Sequence, residues 1–389
     1  MQPEEFSATA SGRVIKTLAG YWAFVPDPLP PKIAWTDSLL SQLSKADRSL
    51  ARLAVVGASF PSPYVVVRPF VRREAVLSSR IEGTHTNLEE LYTYEARQLA
   101  LFEDQADARE VHNYVCALDY GLERVKSLPV SVRLLRELHA RLMEDVHGEL
   151  LTPGELRRSQ NWIGAPGATI QAARYVPPPV DEMHNCLAHL ERFIHGHSDL
   201  PPLIRLGMIH CQFEAIHPFL DGNGRAGRLL VSLLLCSWEL LPQPLLYLSA
   251  FFEEHRQEYY DKLLAVSQQG AWEAWLDFFL TGIDVQARES VSRLHRLERL
   301  LDELYARVER ERMRQPLREL IEYLIGHPVT TVRQAQQGLG QKHYAPVQRY
   351  IEKLVELGVL QQVGQRARNR LYRAPEVLRA IEGEIDKEG

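Results

Sequence analysis

Residues 216–230 read IHPFLDGNGRAGRLL, and positions 217–228 alone hold a histidine, an aspartate, an asparagine, three glycines and two arginines directly ahead of an apolar run. Gly222-Asn223-Gly224-Arg225-Ala226-Gly227 fits the G-x-G-x-x-G dinucleotide fingerprint, which has meaning only between a strand and a helix of a βαβ unit. The residues before it are not a strand. Leu203-Ile204, Leu206, Ile209-His210 and Phe213 recur at helical spacing, and the nearest downstream acid, Glu239, stands at the end of the next apolar run. The stretch is therefore a loop between two helices, and the chain is expected to be mainly α.

The loop chemistry still points to phosphate. Closely spaced glycines let backbone N–H groups converge, and a helix starting near Gly224 aims its positive end at the same point. Asn223 offers an amide donor, and Arg225 and Arg228, one turn apart, are expected to reach the same side of that seat. Asp221 would repel a phosphate unless a divalent cation lay between them, and magnesium held by one carboxylate plus substrate phosphates is the usual arrangement. His217 titrates near neutrality and is suited to take a proton from a nucleophile. An ordinary turn, a solvated arginine face and a core histidine explain each residue singly, but not all of them in twelve positions.

From His217 to Arg228 every position is similar to the H-x-F-x-D/E-G-N-G-R-x-x-R signature of Fic-domain proteins. That resemblance implies transfer of AMP from ATP to a Tyr, Ser or Thr hydroxyl of a target protein or of the chain itself. It assigns His217 as the base, Asp221 as the magnesium ligand, the run Gly222, Asn223, Gly224, Arg225, Ala226 and Gly227 to the nucleotide, and Arg228 to its γ-phosphate. Phe219 would point inward and anchor the loop.

Three other segments extend the resemblance. Residues 156–177 combine turn residues with β-favouring ones, suggesting a hairpin with an open edge able to align a target segment by strand addition. It resembles the flap of Fic proteins, and by that likeness Ile163, Gly164, Arg174 and Tyr175 would touch the nucleotide. His255-Arg256-x-x-Tyr259-Tyr260 resembles the family's adenosine-side helix; the two tyrosines face different sides, so one is expected to be core. Where some members carry an asparagine this chain has Ser267. Upstream, Ser78 and Glu82 share a helix face that Gly83 would end, and Asn87 with Glu90 can form a capping box. Leu77 to Thr84 resembles the S/T-x-x-x-E-G/N inhibitory helix, in which Glu82 would bridge to Arg228 and take the room of the γ-phosphate.

These signals divide the chain into residues 1–107, a proline-rich extended lead and a helical domain with the inhibitory motif; 108–283, the catalytic domain; 284–314, a charged linker helix; and 315–389, a module with a tail. That module reads as helix, turn, helix, helix and a two-stranded wing carrying Arg366, Arg368, Arg370 and Arg373. It looks like a winged helix-turn-helix, serving DNA or, since Glu352 and Glu356 lie on the presumed recognition helix, protein contact. The expected fold is thus a mainly α, Fic-type helical core with a β-hairpin flap, an N-terminal helical domain and a C-terminal winged helix-turn-helix.

Composition agrees with a soluble enzyme. Of 389 residues 45% are hydrophobic and 24% charged, with a net charge of −5 that argues against nonspecific nucleic-acid binding by the whole chain. The four cysteines are far apart, without Cys-x-x-Cys spacing, and read as buried thiols in a reducing compartment. No signal-peptide pattern opens the sequence and no apolar run is long enough for a bilayer, so the expected location is the cytoplasm. The expected cofactors are ATP and Mg²⁺; the expected partners are a target protein docked along 156–177, a second copy of the chain, and DNA through the C-terminal module, with no membrane. The competing function is a DNA-binding regulator whose helical body only senses a nucleotide.

Overall fold

Gly83 and the Pro61-Ser62-Pro63 stretch interrupt the helical spacing of the N-terminal third, and the helices there end at Ser59 and Ile81 and begin again at Pro63 and Leu88. The structure, a computed structural model, describes residues 1–60, 63–97, 106–146, 152–165, 167–364 and 370–383. Helix α1 (Asp37–Ser59) starts on Thr36, whose side chain accepts from the Leu39 N–H. Helix α2 (Pro63–Ile81) stops just before Gly83, which has φ 107°. Helix α3 (Leu88–Arg97) opens with the expected reciprocal cap: the Asn87 N–H donates to Glu90 and the Glu90 N–H to Asn87, each at 2.9 Å.

The middle of the chain is a helical bundle: α4 (Ala106–Arg124), α5 (Val132–Leu142), α6 (Val180–His195), α7 (Pro202–Ile216) and α8 (Asn223–Ser237). Helices α7 and α8 are apolar nearly all round, as central helices must be; Leu206, Met208, Ile209, Phe213, Leu229, Leu230 and Leu233 are all fully buried. The short α9 (Ser249–Glu254) leads into α10 (Arg256–Gln269), and α11 (Trp272–Val308) runs 37 residues, packing on α1 and α7. The charged helix expected from Asp284 to about Met313 thus begins at Trp272, because Trp275, Leu276, Phe279 and Ile283 carry the same buried stripe upstream.

Two β segments differ from expectation. The lead is not a plain extended strip: β1 (Gly12–Lys16) and β2 (Trp22–Pro26) form an antiparallel hairpin, Val14 opposite Phe24. The unbroken apolar run of β2 hides the alternation that would have announced it. The Phe24 N–H donates to the Val176 carbonyl at 2.9 Å, joining this hairpin to the flap. The flap is itself less regular than expected. Among the described residues its pairing is one antiparallel bridge, Ile163 to Tyr175, with a single 3-10 turn at Ile170–Ala172; Pro166 lies outside the described residues. Side chains take up the backbone groups a longer ladder would use: the Gln160 amide donates to the Asn161 and Pro177 carbonyls.

The C-terminal module comprises α12 (Arg314–Gly326), β3 (Val329–Thr331), α13 (Val332–Gly338), α14 (Tyr344–Glu356), β4 (Gln361–Val363), β5 (Leu371–Arg373) and α15 (Pro375–Glu382), with sheet order β3-β5-β4. It packs on α2 and α3. The Arg68 Nε donates to the Gly326 carbonyl at 3.0 Å, and Gln334 donates to the Glu95 carbonyl. Arg373 is engaged by Glu89 of α3 at 3.0 Å; Arg366 and Arg368 lie outside the described residues. No helix among the described residues is long and apolar enough to cross a membrane.

Phe24 is fully buried, stacked on Phe6 at 5.2 Å and 6.0 Å from Tyr175. Phe24→Ala is expected to destabilise the chain by about 3–5 kcal/mol and to expose residues 163–175 to limited proteolysis below the melting transition. Unchanged cleavage there would separate the hairpin from the flap.

Candidate active site

Helix α7 ends at Ile216, and His217 turns the chain in the left-handed region, φ 50° and ψ 61°, a conformation that a non-glycine residue holds only when its surroundings impose it. Those surroundings are visible. Phe219 is fully buried and stacks on His139, centroids 3.8 Å apart and planes within 4°. The Phe219 N–H donates to the Asn223 side-chain oxygen and the Asn223 amide donates back to the Phe219 carbonyl, each at 2.8 Å. From the flap, Asn161 donates to the Phe219 and His217 carbonyls at 2.7 and 3.2 Å, and the buried Arg157 donates through Nε to the His217 carbonyl at 3.0 Å. The His139 Nδ1 accepts from the Gly154 N–H, so its Nε2 carries the proton and donates to the Asp221 carbonyl, both at 3.0 Å. Burial pushes the His139 imidazole down to about 4, which keeps it neutral in this role.

The turn delivers three things to one place. Gly222, φ 73°, caps α8, whose first amides are left without intrahelical partners. Asp221 is about half exposed, its Oδ1 accepting the Gly222 N–H at 2.6 Å. The His217 Nδ1 lies 3.3 Å from the Glu214 carbonyl, which holds the proton on Nδ1 and leaves Nε2 as the basic nitrogen. Burial pushes the His217 imidazole down to about 4, outweighing the opposing bond to Glu214, so the ring is neutral at physiological pH.

These groups line a cavity of about 730 Å³, within the range of small-molecule sites. It brings together, from the expected set, Glu82, Ile163, Gly164, Arg174, Tyr175, His217, Asp221, Gly222, Asn223, Gly224, Arg228, Tyr259 and Tyr260. Several do something other than expected. The Asn223 side chain is the loop's clamp and not an amide aimed at the seat. The Tyr175 hydroxyl donates to the Ala215 carbonyl at 2.8 Å, and Arg174 pairs with Asp261. Tyr259 is the core member of its pair, its hydroxyl 2.9 Å from His210, whereas Tyr260 is only half buried. Ser267 lines the wall as well.

Three residues of the run assigned to the nucleotide, Arg225, Ala226 and Gly227, lie outside the cavity lining. Arg225 points toward α4 and α5, pairing with Glu110 at 3.0 Å and reaching the Met143 sulfur at 3.8 Å. Although it stands one turn from Arg228, its guanidinium is committed to those partners and does not join Arg228 in lining the cavity. Ala226 is fully buried core. Gly227 is a packing residue, since a Cβ there would lie 2.2 Å from the Glu214 Oε1.

Arg228 is almost wholly buried and held by α2. Its Nε donates to the Ser78 hydroxyl at 2.8 Å, and its Nη2 to the Ser78 carbonyl at 3.0 Å and to the Glu82 carboxylate at 2.6 Å. Burial raises the Glu82 carboxyl, but the guanidinium outweighs it and the net direction is down. Gly224 makes this fit possible: a Cβ there would lie 2.2 Å from the Glu82 Oε1. Sequence reasoning missed His139, Arg157, Asn161 and Glu110, because their roles arise from contacts across 15 to 115 positions that no local spacing encodes, and Glu214, whose side chain rests against Gly227 of the next helix.

Comparison with known proteins adds a frame to this geometry. Residues 40–123 match the Fic/DOC family N-terminal model and residues 129–235 the Fic/DOC family model. The chain carries a Fic domain. Relatives named protein adenylyltransferase Fic occur in Drosophila erecta, 29% identical, and Drosophila persimilis, 30% identical, each over 131 residues that cover 32% of this chain and 24% of the relative. The match thus spans about a quarter of the length of those relatives. Among solved structures, a Fic family protein from Desulfovibrio desulfuricans G20 shares the fold with a TM-score of 0.58 at 21% identity, covering 89% of this chain and 98% of that one. A fragment of Fic-1 from C. elegans gives 0.50 at 18% identity, covering 66% and 74%.

Asn223→Ala in this Fic domain leaves the buried Phe219 N–H without its acceptor. A loss of about 1–3 kcal/mol is expected, read as a lower denaturation midpoint with an unchanged m-value; a midpoint equal to wild type would mean that the clamp is idle.

Proposed function

We propose that the chain is a protein adenylyltransferase that moves AMP from ATP to a hydroxyl of a target protein or of itself, and that Glu82 restrains it. The observation that carries this is the His217 imidazole: neutral, fixed through Nδ1, and lining a nucleotide-sized cavity beside the open amides of α8. A site that only sensed a nucleotide would need no base. The relatives named adenylyltransferases support the same reading.

In this mechanism the phosphate chain lies on the α8 N-terminus and its terminal phosphate takes Arg228. A Tyr, Ser or Thr hydroxyl, docked along residues 156–177, gives its proton to the His217 Nε2 as its oxygen bonds to the α-phosphorus. The bond from that phosphorus to the β-bridging oxygen breaks and pyrophosphate leaves. Positioning and charge stabilisation supply most of the acceleration in such transfers. Among the described residues no three metal-ligating side chains cluster, but a half-exposed single carboxylate suits magnesium, which is held by one carboxylate plus phosphates. Asp221 would hold it, and the ion would neutralise phosphate charge.

Glu82 works by competition for one guanidinium. A hydrogen bond to a charged group contributes roughly 1.5–3 kcal/mol, enough to hold the terminal phosphate off Arg228 and small enough to be reversed by a partner or a second copy of the chain. The C-terminal module is proposed to be a winged helix. Protein contact suits it better than DNA, since Glu352 and Glu356 are exposed on α14 and Arg373 is engaged by Glu89.

ATP labelled at the α-phosphate is expected to mark protein. Glu82→Gly should raise the labelling about tenfold or more, and His217→Ala should abolish it; label arriving only from the γ-position would mean a kinase-like transfer instead. Because the base works in its neutral form and burial holds it at about 4 in the empty protein, kcat/KM, which reads the free protein, should show no loss of the base as pH falls from 7 toward 5 and lose it only below that. An acid limb near 6.5 would place a different base in the step.

A further inference from the structure

Glu214, on α7 one turn before His217, lines the same cavity, and its Oε1 is sealed from solvent with no hydrogen-bond partner. Its position mirrors that of Glu82. A Cβ built on Gly224 would lie 2.2 Å from the Glu82 Oε1, and one built on Gly227 would lie 2.2 Å from the Glu214 Oε1. Gly224 and Gly227 are three apart on α8 and so are neighbours on one face, roughly 5–6 Å from one another at Cβ. Two carboxyl groups from different elements therefore rest on adjacent bare positions of one helix.

The cation near both is Arg228, and Glu82 holds it by direct contact. Two acids that share a site with one cation cannot both ionise at ordinary cost, and the one without the ion pair is the one held back from ionising. Burial and the Glu82 charge push Glu214 up to about 7, with Arg228 opposing. The other titratable groups around it are uncharged at neutral pH: burial holds the His217 and His210 imidazoles in their neutral form, and keeps the Cys211 thiol and the Tyr259 hydroxyl protonated.

Resting on the nucleotide reading above, we propose that Glu214 is a nucleotide-contacting residue that enters the filled site as a neutral carboxylic acid, donating its proton to an oxygen of the phosphate chain. When a terminal phosphate replaces Glu82 on Arg228 it brings more negative charge to the same face of α8. An ionised Glu214 would repel it, whereas the acid offers a donor. Without Glu82, the freed Arg228 favours the ionised form of Glu214 in the empty protein. Nucleotide binding then draws one proton from solvent onto the Glu214 carboxyl.

The test uses full-length Glu82→Gly protein and the same protein with Glu214→Gln, each titrated calorimetrically with magnesium α,β-methylene-ATP, which cannot transfer AMP. Paired buffers of different ionisation heat read the protons taken up, and circular dichroism confirms that both variants are folded. Between pH 6.5 and 8.5 the single variant should lose affinity by a slope approaching about tenfold per pH unit, with uptake of up to about one proton. The double variant, a permanent neutral donor, should lose that slope and uptake and bind more tightly than the single variant at pH 8.5. Titration of the nucleotide itself is common to both and cancels. Equal slopes in the two variants, or weaker binding of the glutamine variant at every pH, would overturn the proposal for Glu214 alone. Absence of binding in both folded variants would overturn the nucleotide reading, and this proposal with it.

Discussion

The site depends on one strained turn. His217 sits in a left-handed conformation that costs of order 1–3 kcal/mol, and its own side chain adds only the Nδ1 bond to the Glu214 carbonyl in return. The turn persists because its backbone polar groups are claimed from several directions: Asn223 from within, Asn161 and Arg157 from the flap, and His139 from α5. Such over-determination makes the imidazole and the α8 N-terminus a rigid pair, which a reaction needing an acceptor oxygen close to a bound phosphorus requires. It also ties the flap to the loop, so the surface proposed to align a target cannot drift independently of the proposed base.

The same economy of contacts appears on α8. Its first two turns carry glycines at 224 and 227 because two glutamates from other elements lie against them, and its two arginines take different partners. Arg225 ties the helix start to α4 through Glu110, while Arg228 faces α2. A signature that looks like one run of phosphate ligands is, side chain by side chain, half scaffold. The polar contacts offered to a ligand come chiefly from the backbone at 222–224, from Arg228, and from His217 and Asp221 beside them.

That division explains what was legible. Helix periodicity, the breaks near Pro63 and Gly83 and the Asn87–Glu90 cap are local effects, written within a few residues of where they act. The pairing of Ser78 and Glu82 with Arg228 spans 150 and 146 positions and was reached by resemblance, since helical spacing alone says only that the two share a face. Strand β2 was hidden because Trp22-Ala23-Phe24-Val25-Pro26 is apolar without alternation, its far face being covered by the flap. The flap's expected hairpin shrank to one bridge, and a side-chain amide invisible to propensity arguments, that of Gln160, takes two of its backbone carbonyls. Glu214 escaped notice because a lone glutamate in an apolar helix carries no signal until its neighbours are known.

Helix α2 links the two halves of the molecule. Near its start, Arg68 bonds the Gly326 carbonyl at the end of α12 and, with Arg72, pairs with Glu95 of α3; just past its other end, Glu82 holds Arg228. The 14 steps from Arg68 to Glu82 span roughly 20 Å at helical rise, too far for direct contact but short for a helix that moves as a unit. Pro69 lies inside it, where a missing N–H makes bending cheapest. The Glu82 carboxylate is therefore held from two sides. One hold is its own guanidinium partner, and the other is the seating of α2 against α12 and α3. Separation of Glu82 from Arg228 requires either a stronger anion at Arg228 or a shift in how α2 rests on the C-terminal module. On the proposed function the first would depend on nucleotide concentration and, through the neighbouring acid on α7, on pH; the second would depend on whatever grips α12.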